Sequence, residues 1–417
     1  MSFRAIAIFV LCYLVIVAGE HSPRKLDRPA AGLLGGVFMV ACGVLSRQEA
    51  LHAIDFPTIA LLLGMMIVIY YATTSELLNA LALLVLKRSK SARQLLYIVC
   101  IASGILSALF INDTICLLMT PLLLTATKRA GLRAEPYLLG LATSSNVGSV
   151  MTITGNPQNI LIGQSSSWSW VAFAIRMVPI GLVCLVINAA VIAFLYRKTL
   201  SGARFSLDGG NETPDVTLQK KLAVKTVLVL IGLLLAFMGG LPLDLSALVA
   251  AGVLLVWANR PSEDALSAVD WPLLLFFAGL FVIVEGITKT QGHWLTQLMP
   301  AFTQRPGSLL QLSWFSFGSV IGSNVFSNVP FVMLLRSFIT PLPHAPLLWL
   351  VLAMSSTFAG NLTMLGSVAN LIVVQGAKKN ECVLTFWAFL KVGIPVTMLT
   401  TFTGALILWL YHTLHWV

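Results

Sequence analysis

Apolar residues in this chain fall in long, nearly unbroken runs. They show neither the alternation of a half-buried strand nor the one-sided stripe of a surface helix. A membrane-spanning helix needs about 20 mostly apolar residues. The runs 3–19, 30–46, 57–72, 172–195, 222–240, 244–258, 272–288 and 386–410 predict such helices. Four other stretches are apolar but interrupted. Residues 94–127 and 308–340 each have room for two short helices around a polar midpoint, and predict re-entrant hairpins. Residues 137–163 and 346–376 are cut by Gly, Asn, Ser and Pro, and predict broken helices. Residues 3–19 also carry the Arg4 and apolar core of a signal peptide. No A-x-A-like site precedes Glu20-His21, and the run has a counterpart later in the chain, so it reads as the first span.

The interrupted stretches correspond in pairs. At an offset of 216, Ser103, Ile105, Ser107, Phe110, Asn112 and Leu118 match Ser319, Ile321, Ser323, Phe326, Asn328 and Leu334. At 211, Leu141, Ala142, Ser144, Ser145, Thr152, Gly155 and Asn159 match Leu352, Ala353, Ser355, Ser356, Thr363, Gly366 and Asn370. At 215, Asp55-Phe56-Pro57 matches Asp270-Trp271-Pro272, each before an apolar run. Ordered polar matches at a nearly constant offset predict an internal repeat. Each half then holds three spans, a hairpin, a broken span and a final span. Five crossings are odd, so the second half is inverted relative to the first, as in many secondary transporters. The expected fold is an all-α polytopic membrane protein of two inverted repeats, with about ten transmembrane helices, two re-entrant hairpins and two broken helices. The boundaries are 1–197, a linker at 198–221, and 222–417.

Composition narrows the class. The chain has 417 residues, of which 58% are apolar and 10% charged. A soluble domain carries about 25% charged residues, so a soluble enzyme, a disordered chain and a disulfide-rich secreted fold are excluded. Six cysteines without a CxxC pair read as small apolar fillers. A net charge of +10 would suit nucleic acid, but its distribution speaks for topology instead. Nineteen of the 26 basic residues fall in segments on one side, among them Arg24, Lys25, Arg28, Lys87, Lys128, Arg129, Arg204 and Arg260. The positive-inside rule makes that side cytoplasmic. Loops 21–28, 73–93, 128–136, 197–221, 259–270 and 377–381 then face the cytoplasm and both termini lie outside, in a bacterial inner membrane.

The hairpin tips and the breaks carry the candidate chemistry. The first tip reads Asn112-Asp113-Thr114, and the second Ser327-Asn328-Val329-Pro330. Backbone that is not helical at membrane depth is tolerated only where it is buried in protein or lines a watery cavity. Asp113 there reads as an ion or proton site, or as a cap on the helix that follows. Val329 occupies the matching place in the second half, so one carboxylate serves both repeats. The breaks contain Asn146, Thr152, Gly155, Asn156, Pro157 and Asn159, then Thr363, Gly366 and Asn370. They free backbone carbonyls for a cation and present helix N-termini to an anion. Ser144, Ser145, Ser355 and Ser356 either join the site or let helices pack closely. Arg336 reads as a snorkelling arginine. The histidines lack metal-ligand spacing, no Walker A is present, and no cofactor or metal is expected.

These motifs resemble the ion transporter superfamily, and within it the arsenite-permease and sodium/proton-antiporter type (ArsB/NhaD-like, with a citrate-transporter-like domain). Asn112-Asp113-Thr114 with Thr120-Pro121, Thr152-x-x-Gly155-Asn156-Pro157-x-Asn159 and Ser327-Asn328-Val329-Pro330 carry the resemblance, which spans nearly the whole chain. The divalent-anion:sodium symporters have Ser-Asn-Thr at both tips, from which this chain departs; Asp113 matches the arsenite-permease and antiporter branch. The resemblance implies a scaffold and a moving transport unit in each protomer of a homodimer, and no enzyme activity. The expected function is transport of a small anion or oxyanion-like solute, with Asp113 coupling it to a proton or sodium ion. The rivals are sodium/proton antiport, arsenite efflux, and the channel of a pump driven by a soluble ATPase partner.

Overall fold

A computed structural model describes residues 2–18, 27–86, 88–201, 218–303, 307–342 and 344–417. Glu20-His21, Arg24, Lys25, Lys87, Arg204 and most of the linker expected at 198–221 lie outside the described residues.

The described chain is α-helical. The first half comprises α1 (Ser2–Ala18), α2 (Arg28–Ala41), α3 (Arg47–Ala53), α4 (Phe56–Thr74), α5 (Leu77–Leu86), α6 (Ala92–Leu109), α7 (Asn112–Arg129), α8 (Glu135–Ser149), α9 (Pro157–Ser165), α10 (Trp170–Leu195) and α11 (Arg197–Leu200). The second comprises α12 (Lys220–Met238), α13 (Leu243–Trp257), α14 (Ser262–Ser267), α15 (Trp271–Thr303), α16 (Leu309–Phe326), α17 (Asn328–Ile339), α18 (Ala345–Ala359), α19 (Val368–Lys379) and α20 (Phe386–Thr413). Among the described residues, six helices are long and apolar enough to cross a bilayer, and five shorter ones are apolar. Helices occupy the expected apolar runs, with shifted ends. The second span stops at Ala41 rather than 46, and Ser46 opens the short α3 with a capping box to Glu49. The helix expected at 272–288 continues to Thr303.

The helices sort into two groups by what they pack against. In one, α15 lies along α2, α13 along α4, and α1 and α12 close the sides. In the other, α8 is sheathed by α6, α7 and α10, and α18 by α16, α17 and α20. Contacts between the groups run chiefly through α17 on α15, α9 on α4, and α5 on α6 and α7. The centre of the second group is fully buried. Every residue of α8 from Pro136 to Ser149 is buried, as is every residue of α18 from Leu347 to Ala359. Small residues allow this depth. A side chain at Gly148 would land on the backbone of Gly104, so α6 and α8 touch almost backbone to backbone. By contrast α12 and α13 turn Leu228, Ile231, Leu235, Val249 and Val253 outward, as lipid-facing helices do.

Polar contacts divide the loops between two faces. On the N-terminal face, Arg4 reaches the carbonyl of Cys42, Trp168 that of Pro346, and Arg176 that of Trp416. On the opposite, basic face, Tyr196 donates to Glu135, Lys225 to the carbonyl of Trp257, and Arg260 to Gln219.

Candidate functional site

Two helices stop inside the protein and restart. α8 ends at Ser149, the chain unwinds with a single 3-10 turn at Ile153–Gly155, and α9 begins at Pro157. Asn156 is extended and caps α9, accepting from the Asn159 amide at 2.8 Å; proline tolerates the first helical position because its missing N–H is an orphan there anyway. α18 ends at Ala359, and α19 resumes at Val368.

One asparagine spans each break. Asn159 Nδ2 donates to the carbonyls of Ser149 (3.2 Å) and Thr152 (3.0 Å). Asn370 Nδ2 donates to those of Gly360 (2.7 Å) and Thr363 (3.1 Å). All three positions are related by the same 211 residues. Unwound carbonyls buried away from solvent would otherwise be costly. Gly155 belongs to the same geometry: a Cβ there would collide with the backbone of Ser149.

Asn146 joins the two breaks. Its Nδ2 donates to Asn361 Oδ1 (2.9 Å) and Asn370 Oδ1 (3.0 Å), both from the second break. Its Oδ1 accepts from Asn112 Nδ2 at the first tip (3.0 Å) and from Ser367 Oγ (3.0 Å). Four side chains, one from the first tip and three from the second break, therefore meet on one buried amide.

The tips face each other across a cavity of about 190 Å³. The first tip contributes Asn112 and Asp113, and the second Ser327, Asn328 and Val329. The breaks contribute Pro157, Gln158, Gly366 and Ser367. The other helix group supplies Arg28 at the start of α2, and Asp270, Phe276 and Phe277 along the first turns of α15. Both of those helices begin on the basic face, so the cavity lies toward that face.

The cavity wall is rich in oxygen acceptors. Asn112 Oδ1 and Asn328 Oδ1 are buried with no hydrogen-bond partner. Asp113 and Asp270 add carboxylates, and Arg28 is the lining cation. Asp113 does not cap its own helix, since α7 starts one residue before it without a side-chain cap; its carboxylate accepts instead from the Ala369 amide in the first turn of α19. Ser327 holds φ 67° and ψ 153°, a region normally left to glycine. Among the described residues, no three His, Cys, Asp or Glu side chains gather as a metal site.

Several expected site residues are placed elsewhere. Ser144 receives a bond from Asn188 (2.6 Å), and Ser145 pairs with Cys116 (3.0 Å). Ser355 and Ser356 donate to carbonyls of their own helix. These four serines are fully buried packing groups away from the cavity lining. Thr152 ties the first break to the Ala108 carbonyl (2.5 Å), Thr363 contributes its carbonyl to Asn370, and Thr114 does not line the cavity. Arg336 does not snorkel alone: Nη1 lies 2.7 Å from Asp55 Oδ2. The sequence reading passed over Arg28, Asp270, Phe276, Phe277 and Gln158 as site residues. The repeated Asp-aromatic-Pro motif was the available signal for Asp270.

Broken helices buried against hairpin tips, around an acceptor-lined cavity at the seam of two helix groups, define a polytopic membrane transporter rather than an enzyme. The comparisons agree. The citrate transporter family model matches residues 13–345, and the chain belongs to that family. It is 32% identical to the silicon efflux transporter LSI3 of rice (Oryza sativa subsp. japonica) over 91% of this chain and 92% of that one. A 46 kDa membrane protein of Mycobacterium leprae is 29% identical over 99% of both, and a putative transporter arsB of Dictyostelium discoideum is 24% identical over 96% of this chain and 90% of that one. The fold matches the crystal structure of the Alcanivorax borkumensis YdaH transporter, of unusual topology, with a TM-score of 0.59 at 14% identity, covering 99% of this chain and 98% of that one.

Proposed function

We propose that this chain is a secondary transporter for a small oxyanion-like solute, above all a metalloid acid carried with its hydroxyl groups protonated, and that Asp113 couples its movement to a proton or sodium ion. The observation that carries the reading is the cavity wall. Two buried carbonyl oxygens, Asn112 Oδ1 and Asn328 Oδ1, lack donors, and two carboxylates stand beside them. An unpaired buried acceptor costs about 1–3 kcal/mol. A solute bearing O–H groups, or a cation, relieves that cost; a fully ionised anion offers only more acceptors. The names of two relatives, a silicon efflux transporter and a putative arsB transporter, point to the same chemistry.

The equal 211-residue spacing of the Asn159 and Asn370 bonds supports two structurally equivalent halves. Inverted repeats allow alternating access, with the group built on α8 and α18 moving against the group built on α2, α4, α13 and α15. With the basic face cytoplasmic, the cavity is open to the cytoplasm in the state described.

The test uses purified protein in proteoliposomes containing a pH dye. A sodium gradient is imposed, then arsenite, silicic acid, sulfate, phosphate and dicarboxylates are added in turn. Proton movement that needs a metalloid acid supports the proposal. Movement on sodium alone would make the cation the substrate, and movement with sulfate or a dicarboxylate would overturn the assignment of solute.

A further inference from the structure

The two Asp-aromatic-Pro motifs do the same local job and meet different fates. Asp55 Oδ1 accepts from the Thr58 amide at 3.1 Å, capping α4. Asp270 Oδ1 accepts from the Leu273 amide at 3.0 Å at the start of α15. Both helices belong to the group that holds α2 and α13. The remaining oxygen of Asp55 is turned to the other group, where Arg336 Nη1 of α17 lies 2.7 Å away. The Asp55 side chain is 8% exposed and the Arg336 side chain 39%, so water screens this pair only in part. Asp270 is exposed on the opposite face, lines the cavity, and takes part in no ion pair among the described residues.

The seam between the groups is thus closed by an ion pair at the N-terminal face and open at the basic face. The repeat does not supply a matching hairpin cation for Asp270; Arg28, which lines the same cavity, stands on α2 in Asp270's own helix group and cannot bridge the seam. The first-hairpin position that corresponds to Arg336, at the offset of 216, is Thr120, whose hydroxyl donates to the Cys116 carbonyl within its own helix. We infer that Asp55 and Arg336 are positioning residues for transport, forming a latch that holds the moving helices in the state whose cavity opens at the basic face. Carrying the second hairpin toward the N-terminal face draws Arg336 off Asp55, and no ion pair forms on Asp270 in exchange. The latch therefore sets the resting state. This inference rests on the alternating-access reading above.

The test places a cysteine at Leu365, an exposed cavity-wall residue, in the full-length protein with its six native cysteines replaced. Labelling by an impermeant maleimide is timed from each face in sealed right-side-out and inside-out vesicles, with and without arsenite. Asp55→Asn keeps the cap, since Asn caps as well as Asp, and removes only the charge. Asp55→Asn and Arg336→Gln should each shift the ratio of basic-face to N-terminal-face labelling toward the N-terminal face by roughly five- to thirty-fold. The exchanged pair Asp55→Arg with Arg336→Asp gives up the α4 cap but rebuilds the ion pair across the seam, and should restore the ratio. Should the single variants fail to insert, a wild-type ratio in the exchanged pair still supports the latch, and any other ratio overturns it. An unchanged ratio in both single variants, with arsenite still shifting it, overturns the latch and leaves alternating access standing. Labelling from one face only, in every variant and with arsenite, overturns alternating access and the latch with it.

Discussion

The two breaks are bridged by the same pair of asparagine bonds, and the two hairpin tips are not alike. Asn159 and Asn370 make the same pair of carbonyl contacts at the same spacing. The tips match only at Asn112 and Asn328. Beyond them the first carries Asp113 on an uncapped helix start, and the second carries a strained Ser327 and the apolar Val329. The common part is what any chain needs to stop a helix inside a protein: its freed backbone groups must find partners. The divergent part faces the cavity, where Asp113 is the carboxylate proposed to couple the ion.

The largest expected effect comes from the residue that joins the breaks. Asn146→Ala would strand Asn112 Nδ2, Asn361 Oδ1, Asn370 Oδ1 and Ser367 Oγ at once. At about 1–3 kcal/mol per buried unpaired group, folded yield in detergent should collapse and transport with it. A monodisperse, active variant would remove Asn146 from the centre of the site.

Asp113→Asn comes next and separates chemistry from architecture. The variant should insert and fold, because an asparagine oxygen can still accept from the Ala369 amide that Asp113 meets at the start of α19. Its coupled transport should fall by about 100-fold or more, with loss of the pH or sodium dependence, as expected for a functional intramembrane carboxylate. Wild-type ion dependence in the folded variant would reduce Asp113 to a spectator of the first tip.

The breaks themselves supply the next comparison. Asn159→Ala and Asn370→Ala each free two carbonyls, so each should destabilise by about 1–3 kcal/mol, and by similar amounts. Thermal unfolding in detergent measures both. A large loss in one and none in the other would show that the matched spacing hides unequal roles.

The positions of the breaks and tips were legible because a polar residue inside an apolar run is rare and has to be explained. That rule does not separate a site serine from a packing serine. Ser355 and Ser356 satisfy themselves on carbonyls one turn back, at little cost to an apolar helix. It also stays silent on the opposite wall. Phe276 and Phe277 look like any residues of an apolar span, and Arg28 and Asp270 like any charges at a helix start. Only the docking of one helix group on the other makes them part of a site. Arg336 illustrates the same limit: its partner lies 281 residues away, beyond the reach of any local pattern.

The smallest effect tests the strained tip. Ser327 sits at φ 67°, ψ 153°, where a side chain costs about 1–3 kcal/mol and glycine almost nothing. Ser327→Gly removes that strain and returns about 0.5–1 kcal/mol as added chain entropy in the unfolded state. The net expectation is a gain of about 1 kcal/mol, read as a rise of a few degrees in melting temperature. Transport should move the other way. The Ser327 hydroxyl lines the cavity beside Asn328, whose Nδ2 lies 3.5 Å from the Gly366 carbonyl and whose Oδ1 has no partner. A looser tip aims Asn328 less well, so the half-saturating solute concentration should rise. If stability and apparent affinity both improve, the strain is a by-product of turning the second hairpin. If stability rises while affinity falls, the strain holds the second tip in its binding geometry, as Asp113 supplies the charge of the first.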